Sequence, residues 1–191
     1  MERQASQTEG ARTEVYTDGS KIDNRVGVAY TITHQNKEIT YGTHKLPDES
    51  TVFQAELLAI EMAATRLNEM NITGRVNIHT DSQSSIQSLK ANTLTSIQAI
   101  HTKNAIEELA SKKKVKLRIY WIKAHVGHEF NERADELAKE ATHSGIPHHV
   151  LRSRKSLKRA YEKHTAERWR AEWAEKPNDY KRTRTWFPEP D

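Results

Sequence analysis

Three β-rich runs in direct succession, followed by alternating helical and strand-like segments, constrain the fold of this 191-residue chain more than any other feature. The runs cover Glu14–Thr17, Arg25–Thr33 and Glu38–His44, and the turn-forming segments Asp18-Gly19-Ser20 and Gln35-Asn36-Lys37 separate them. Consecutive runs joined by such short turns predict an antiparallel meander.

The segments after the meander alternate between helix and strand. Apolar residues recur at helical spacing from Ser50 to Met70, and the carboxylate of Glu56 lies on that apolar stripe. The segments predicted after this helix are a turn at Asn71–Gly74, a strand at Val76–Thr80, helices at Ser82–Lys90 and Ser96–Ser111, a strand at Val115–Ile122 and a helix at Glu129–His143. This order predicts an α/β fold with a five-stranded mixed sheet, antiparallel at one flank, and helices on both faces.

The C-terminal quarter differs in character from the rest. Residues 148–191 hold 12 Lys or Arg against 7 Asp or Glu, whereas residues 1–147 hold 18 against 19. The segment Leu151–Lys176 is charged and helical, with apolar residues at multiples of four: Leu157, Tyr161, Trp169 and Trp173. A positive excess confined to one helix favours a polyanionic partner such as nucleic acid, and a solvated helix face is the plain alternative.

We therefore expect three parts: a disordered N-terminal segment at residues 1–12, a folded domain at 13–147, and a basic helical tail with a disordered end at 148–191. The longest apolar stretches, such as Val26–Tyr30, fall far short of the roughly 18 residues that span a bilayer. The polar N-terminus lacks the apolar segment of a secretion signal. The absence of cysteine excludes a disulfide framework and a thiolate metal site, and together these features predict an intracellular protein.

Four carboxylates occupy positions that are unusual for charged groups. Asp18 and Asp81 come directly after strand-like runs, Glu56 lies on an apolar helix stripe, and Asp135 lies beside the apolar stripe of the last helix of the domain. Each alone has a plain alternative: Asp18-Gly19 as a turn, Asp81-Ser82 as a helix N-cap, and Asp135 as a solvated residue beside the stripe. Carboxylates that converge in a buried site need cations to neutralise them, and oxygen ligands select hard ions such as Mg²⁺ or Mn²⁺.

Around these carboxylates the chain resembles type 1 ribonuclease H over residues 13–143. The motifs that carry the resemblance, in the family's order and spacing, are Tyr16-Thr17-Asp18-Gly19-Ser20, Gln54-Ala55-Glu56-Leu57, Thr80-Asp81-Ser82-Gln83, Trp121-Ile122-Lys123-Ala124-His125-Val126-Gly127-His128 and Asn131-Glu132-Arg133-Ala134-Asp135. The form Phe53-Gln54-Ala55-Glu56 and the basic tail ending in Trp186-Phe187-Pro188 look most like the ribonuclease H region of non-LTR retrotransposon reverse-transcriptase polyproteins.

The resemblance implies an endoribonuclease that hydrolyses the RNA strand of RNA/DNA hybrids and leaves 5′-phosphate and 3′-hydroxyl ends. It implies two Mg²⁺ ions, with Mn²⁺ as a substitute, held by four carboxylates: Asp18, Glu56, Asp81 and Asp135. His125 corresponds to the family's mobile histidine, which assists proton transfer or product release. The partners implied are an RNA/DNA hybrid and a fused or associated reverse transcriptase, with no membrane, for a monomer in the nucleus or cytoplasm.

The resemblance also implies substrate contacts. Gln83 matches a family residue that reads the minor groove, where 2′-hydroxyls distinguish RNA from DNA. Asn131 is expected to support the site, and Asn24 and Thr51 to serve a phosphate pocket.

Two departures from the family pattern affect substrate binding. Val52 and Phe53 stand where many relatives carry asparagines, and Ala91–Lys116 offers only Lys112-Lys113-Lys114 in place of a bulky basic protrusion. Affinity for the hybrid must then come from a fused neighbour or from the tail, whose helix either lies along the duplex or docks on the domain. The competing functions are a catalytically inactive nucleic-acid-binding module of the same fold and, more weakly, a DNA nuclease or transposase of the same superfamily.

Overall fold

The three N-terminal runs form the expected meander in the computed structural model, which describes residues 12–93, 96–112, 114–124 and 127–175. Strands β1 (Arg12–Ile22), β2 (Arg25–His34) and β3 (Lys37–Leu46) pair antiparallel in sequence order. Asp23 and Asn24 join β1 to β2, and Gln35 and Asn36 join β2 to β3; all four have positive φ, between 48° and 64°. Two-residue turns with this left-handed backbone match the twist of paired strands, so the hairpins are tight.

The expected turn at Asp18-Gly19-Ser20 is wrong, because β1 continues through these residues. Asp18 pairs with Ala29 and Gly19 with Val28 of β2, and the actual turn begins only at Asp23. Gly19 does not reverse the chain; it allows a helix to pack closely on the strand. Asp18 therefore sits within a regular strand, where pairing with β2 holds its backbone.

Two further strands extend the sheet on the other side of β1. Strand β4 (Gly74–Thr80) pairs parallel with β1, and β5 (Val115–Trp121) pairs parallel with β4. A short strand, β6 (Ile146–Pro147), pairs parallel with β3, so the sheet has six strands in the order β5-β4-β1-β2-β3-β6 rather than five. Two residues that include a proline show no alternation of apolar and polar residues, which is why the sequence gives no sign of this edge strand.

Four helices cover the sheet: α1 (Val52–Glu69), α2 (Gln83–Lys90), α3 (Ile97–Ser111) and α4 (Glu129–Ser144). Helix α1 begins with a capping box, in which the Thr51 hydroxyl accepts from the Gln54 backbone N–H and the Gln54 side chain accepts from the Thr51 backbone N–H. Helices α1 and α3 pack together on one face of the sheet, and α4 packs on β1, β2 and β3 from the other. The α/β prediction with helices on both faces is confirmed.

The main apolar core lies between the sheet and α1. Val15 and Ile78 from the sheet meet Ile60 and Leu67 from the helix, and all four side chains are fully buried. On the opposite face α4 approaches the backbone of β2 so closely that a Cβ at Gly27 would lie 2.0 Å from a carbonyl oxygen of the helix. Only glycine fits at that contact, and the close approach of the two backbones positions α4 against the sheet.

A second compact unit begins at Arg152, and the first ends at Leu151. Its described part is α5 (Arg154–Glu175), along which three i,i+4 ion pairs run: Lys158–Glu162, Lys163–Glu167 and Arg168–Glu172. The rings of Trp169 and Trp173 meet edge to face, 6.1 Å apart. None of the described helices has the length and apolar character needed to cross a membrane. Of the expected N-terminal segment only Arg12 is described, and it begins β1; the expected disordered end lies outside the described residues.

Candidate active site

Three carboxylates meet where β1, β4 and α1 come together. Asp18 lies in β1, Asp81 directly follows β4, and Glu56 lies in the second turn of α1. Thr17 and Thr80 are paired in the parallel β1–β4 ladder, so the two aspartates that follow them stand side by side. Each carboxylate offers one oxygen to a group in which all ligand atoms lie within 4.8 Å of one another.

Gly19 allows Glu56 to reach this position. A Cβ at residue 19 would lie 2.7 Å from the backbone nitrogen of Glu56 and 2.8 Å from the Cβ of Ala55, distances that side chains do not tolerate. The first turns of α1 therefore rest directly on the backbone of β1. This contact brings a helix carboxylate beside a strand carboxylate, which the separate sequence patterns do not reveal.

Burial and mutual repulsion hold protons on two of these groups. Burial, followed by the negative charges of Asp18 and Asp81, raises the pKa of Glu56 to about 9. Burial, followed by Asp81 and then Asp135, raises the pKa of Asp18 to about 7. Their exposed fractions are only 6% and 8%, so water does not offset the repulsion. Without a cation the site is therefore partly protonated at neutral pH.

The donor set fits a hard divalent cation. The Oε2 atom of Glu56 is buried and has no hydrogen-bond partner, although a buried carboxylate oxygen is costly to leave unsatisfied. All the offered ligand atoms are carboxylate oxygens, which suit Mg²⁺ or Mn²⁺. A cation bound between the three groups would satisfy that oxygen and remove the repulsion that raises both pKa values.

Asp135 lies near this group but is held differently. It comes from α4, its side chain is 20% exposed, and it accepts a 2.7 Å hydrogen bond from the Nζ of Lys139 one turn later. Its charge still contributes to the raised pKa of Asp18. The motifs of the sequence do not identify Lys139 as a site residue, although its i,i+4 spacing from Asp135 is the usual signal for such an ion pair.

The backbone around Asp81 is tied at several points. The indole Nε1 of Trp121, at the end of β5, donates to the carbonyl oxygen of Asp81 at 2.9 Å. The backbone N–H of Ser82 donates to the Thr80 hydroxyl at 3.2 Å. Within the pair Asp81-Ser82, Ser82 is the N-cap of α2: its hydroxyl accepts from the backbone N–H of Ser85.

The expected substrate-contacting residues have varied settings. Gln83 begins α2, exposed and two residues after Asp81, whereas Asn131 is 5% exposed in the first turn of α4. Thr51 caps α1 with its hydroxyl, and Asn24 forms part of the β1–β2 turn with φ of 64°. The helix cap and the turn are sufficient to explain why Thr51 and Asn24 occupy these positions. Their roles in substrate binding, and that of Gln83, remain predictions.

The expected catalytic histidine, His125, lies outside the described residues. The ends of its loop are described: Trp121 closes β5, and α4 begins at Glu129 with His128 in the N-cap position, where its side chain makes no capping hydrogen bond. The role of His125 in proton transfer stays a prediction.

Comparison with known proteins gives a consistent set of similarities. A family model described as RNase H matches residues 10–143. The chain is 33% identical over 135 residues to a ribonuclease H of Campylobacter jejuni, covering 67% of this chain and 89% of that protein. It is 31% identical over 145 residues to a ribonuclease H of Pseudoalteromonas atlantica, covering 67% of this chain and 88% of that protein.

Two solved structures share the fold. RNase H1 from Halobacterium salinarum superposes with a TM-score of 0.55 at 22% identity, covering 68% of this chain and 96% of that one. LC11-RNase H1 in complex with an RNA/DNA hybrid superposes with a TM-score of 0.56 at 20% identity, with the same coverage of 68% and 96%. At these identities the likeness concerns the fold alone.

Proposed function

The chain belongs to the ribonuclease H family and is a ribonuclease H, and from that premise we propose that it cleaves the RNA strand of RNA/DNA hybrids by a two-metal-ion mechanism. The observation that carries the proposal is the group formed by Asp18, Glu56 and Asp81, whose ligand oxygens lie within 4.8 Å of one another. An inactive module of the same fold would have no need to keep three carboxylates in mutual repulsion.

The acidic group would hold the ions, with Asp135 joining it from α4. When bound, the two ions would activate the attacking water and stabilise the departing 3′ oxygen, which leaves a 5′-phosphate and a 3′-hydroxyl. Because the pKa values of Glu56 and Asp18 are raised, both carboxyl groups must release their protons before they can act as ligands. Metal affinity and activity should therefore increase as the pH rises from about 6 to 9.

Several residues of the chain would serve the reaction without holding the ions. Trp121 fixes the backbone of Asp81 through its indole N–H, and Lys139 orients the carboxylate of Asp135. Gln83, at the start of α2, is exposed two residues from Asp81, a placement that supports a role in contacting the minor groove of the hybrid. His125 would assist proton transfer or product release as an auxiliary group.

The proposal extends to the origin and setting of the chain. The form Phe53-Gln54-Ala55-Glu56 and the basic, tryptophan-containing tail support an origin in the polyprotein of a non-LTR retrotransposon. The partners would then be the hybrid made by a fused or associated reverse transcriptase, in the cytoplasm or nucleus. The chain would act on its hybrid as a monomer.

The proposed function is tested by incubating the full chain with four duplexes of one sequence: RNA/DNA, DNA/DNA, RNA/RNA and a DNA duplex with a single ribonucleotide. We expect cleavage of the RNA strand of the RNA/DNA hybrid with Mg²⁺ or Mn²⁺ and none of DNA/DNA. Products should be ligatable at their 5′ ends and extendable at their 3′ ends. Absence of hybrid cleavage with either ion would favour the inactive module, and cleavage of DNA/DNA would favour the DNA nuclease.

A further inference from the structure

One face of the sheet continues from the active site across β1, β4 and β5. Because side chains alternate along a strand, residues two apart share a face, and the strand registers arrange them in rows. We define the open face as the three rows on the side away from α1: Tyr16, His79 and Tyr120; Glu14, Asn77 and Arg118; Arg12, Arg75 and Lys116. Helix α4 packs on the β1 side of this face, where the ring of Phe130 lies 5.9 Å from that of Tyr16, so the accessible part lies on β4 and β5. The intervening residues, including Val15 and Ile78, belong to the core beneath α1.

The row farthest from the active site is entirely cationic. Arg75 and Lys116 of this row and Arg118 of the next are exposed. Among the described residues, none of the three forms an ion pair with a carboxylate. At about 3.3 Å per residue, the six residues from Asp18 to Arg12 place the cationic row roughly 20 Å from the acidic group. A polyanion that extends from the active site over β4 and β5, parallel to β1, would meet these cations.

The single carboxylate in the three rows is already neutralised. Glu14 is 9% exposed and pairs with the Arg12 guanidinium, with the Nε2 of His79 at 2.6 Å and with the Nδ2 of Asn77 at 3.0 Å. Its charge is therefore satisfied within the protein. The exposed part of the open face presents cations to solvent.

Aromatic rings lie between the cations and the active site. Tyr16 stacks on His79 with ring centroids 4.9 Å apart, and His79 stacks on Tyr120 at 5.6 Å, each pair inclined by 18°. Tyr120 ends this column on the edge strand, where it is 38% exposed. The Nη1 of Arg118 donates to its hydroxyl at 3.4 Å, so a cation and an accessible ring stand together.

We propose that the open face binds a single-stranded extension of the nucleic acid whose hybrid part occupies the active site. Arg75, Lys116 and Arg118 contact successive phosphates, and a base stacks on Tyr120. An aromatic ring takes a base only when that base is unpaired, which favours a single strand over a duplex. The proposal rests on the proposed function for the source of the strand, but the binding itself needs no catalysis.

The test measures fluorescence anisotropy of a labelled 12-nucleotide RNA with the full chain in EDTA, over a series of salt concentrations. The variant is Arg75→Ala/Lys116→Ala/Arg118→Ala. Single-strand contacts contribute about 0.7 each to the log–log salt slope, so the slope should fall by about 2 and the affinity by at least tenfold at low salt. Any contribution of the basic tail is common to all variants and does not affect the difference.

A matched control removes three cations elsewhere on the domain, at Lys37 in β3, Arg66 in α1 and Lys103 in α3. This control should keep the slope of the unmodified chain. Equal reductions in the two triple variants, or an unchanged slope in the open-face variant, would overturn the proposal. So would failure of the unmodified chain to bind the single strand.

The ring is tested separately from the charges. Tyr120→Ala should weaken binding of the same RNA by roughly 5- to 100-fold, whereas Tyr120→Phe, which keeps the ring, should stay within about twofold. Equal effects of the two substitutions would refute stacking. Cleavage of a blunt hybrid by the unmodified chain is measured in parallel: if it fails, the proposed function is wrong, whereas intact cleavage with no single-strand binding contradicts only the open-face proposal.

Discussion

Replacing Glu56 with glutamine should stabilise the metal-free protein while it removes a metal ligand. The carboxylate is 6% exposed, one of its oxygens has no hydrogen-bond partner, and the charges of Asp18 and Asp81 raise its pKa further. A glutamine in its place carries no charge, and its amide can donate to the neighbouring aspartates. The substitution thus exchanges repulsion for hydrogen bonds at nearly constant volume.

The size and sign of the effect follow from the raised pKa. Glu56 has a pKa of about 9 in the folded chain against an ordinary value of 4.5, so folding at pH 7 must take up a proton from a largely ionised unfolded state. A difference of about 2.5 units between pH 7 and the unfolded pKa corresponds to about 3 kcal/mol, an upper limit because the three carboxylates titrate together. This cost is absent below about pH 4, appears as the pH rises and stops growing above about 9.

The measurement is the thermal midpoint of the two proteins in EDTA from pH 4 to pH 9. We expect the two proteins to have equal midpoints at pH 4. At pH 8 the midpoint of Glu56→Gln should be higher by roughly 4–8 °C, because a gain of about 2 kcal/mol in the free energy of unfolding raises the midpoint of a chain of this size by about 2–4 °C per kcal/mol. Glu107→Gln, an exposed substitution on α3 with the same change of charge, should show no such gain. A midpoint for Glu56→Gln at or below that of the unmodified chain at pH 8, or an equal gain at pH 4, would show that a buried charge at position 56 does not destabilise the metal-free protein.

Four further predictions concern catalysis, packing and substrate binding. His125→Ala should slow hybrid cleavage by about 10² to 10³ without abolishing it, as single-turnover kinetics would show; full inactivity or full activity would exclude an auxiliary role. Trp121→Phe should lower the thermal midpoint by about 2–4 °C and slow cleavage by up to about 100-fold, because the backbone of Asp81 is no longer tied to β5; an unchanged rate would show that the tie does not matter. Gly27→Ala should cost about 3 kcal/mol or more in urea unfolding, because its methyl group would overlap the backbone of α4. Deleting residues 152–191 should flatten the log–log salt dependence of hybrid binding by about 0.9 for each phosphate that the tail neutralises, and an unchanged slope would show that the tail neutralises none.

The sequence predicts most of the elements of the fold because their patterns are local. The apolar period of α1 and its Thr51 cap, the left-handed Gln35-Asn36 turn and the apolar run of β4 each identify an element without reference to the others. The antiparallel meander and the crossovers that follow it are likewise confirmed. The sequence does not predict β6, because the strand has only two residues and no alternating pattern of its own. Its position comes from pairing with β3.

The sequence predicts which carboxylates form the site, but not how they are brought together or how their pKa values are shifted. Asp18, Glu56 and Asp81 stand out in the sequence, but their convergence depends on the absence of a side chain at Gly19, which the sequence pattern suggests is a turn. The raised pKa values depend on burial by the whole fold. The indole tie from Trp121 joins β5 to the end of β4, a contact between residues 40 positions apart that no local spacing signals.

The role of the acidic group as the holder of catalytic ions is tested by cleavage of an RNA/DNA hybrid by the unmodified chain and by Asp81→Asn as Mg²⁺ is titrated from zero. We expect no cleavage in EDTA and saturable cleavage of the RNA strand by the unmodified chain. Asp81→Asn should stay folded but be almost inactive at every Mg²⁺ concentration. The Glu107→Gln control should cleave like the unmodified chain. Cleavage in EDTA, or retained cleavage by folded Asp81→Asn, would contradict the claim that the acidic group holds the catalytic ions.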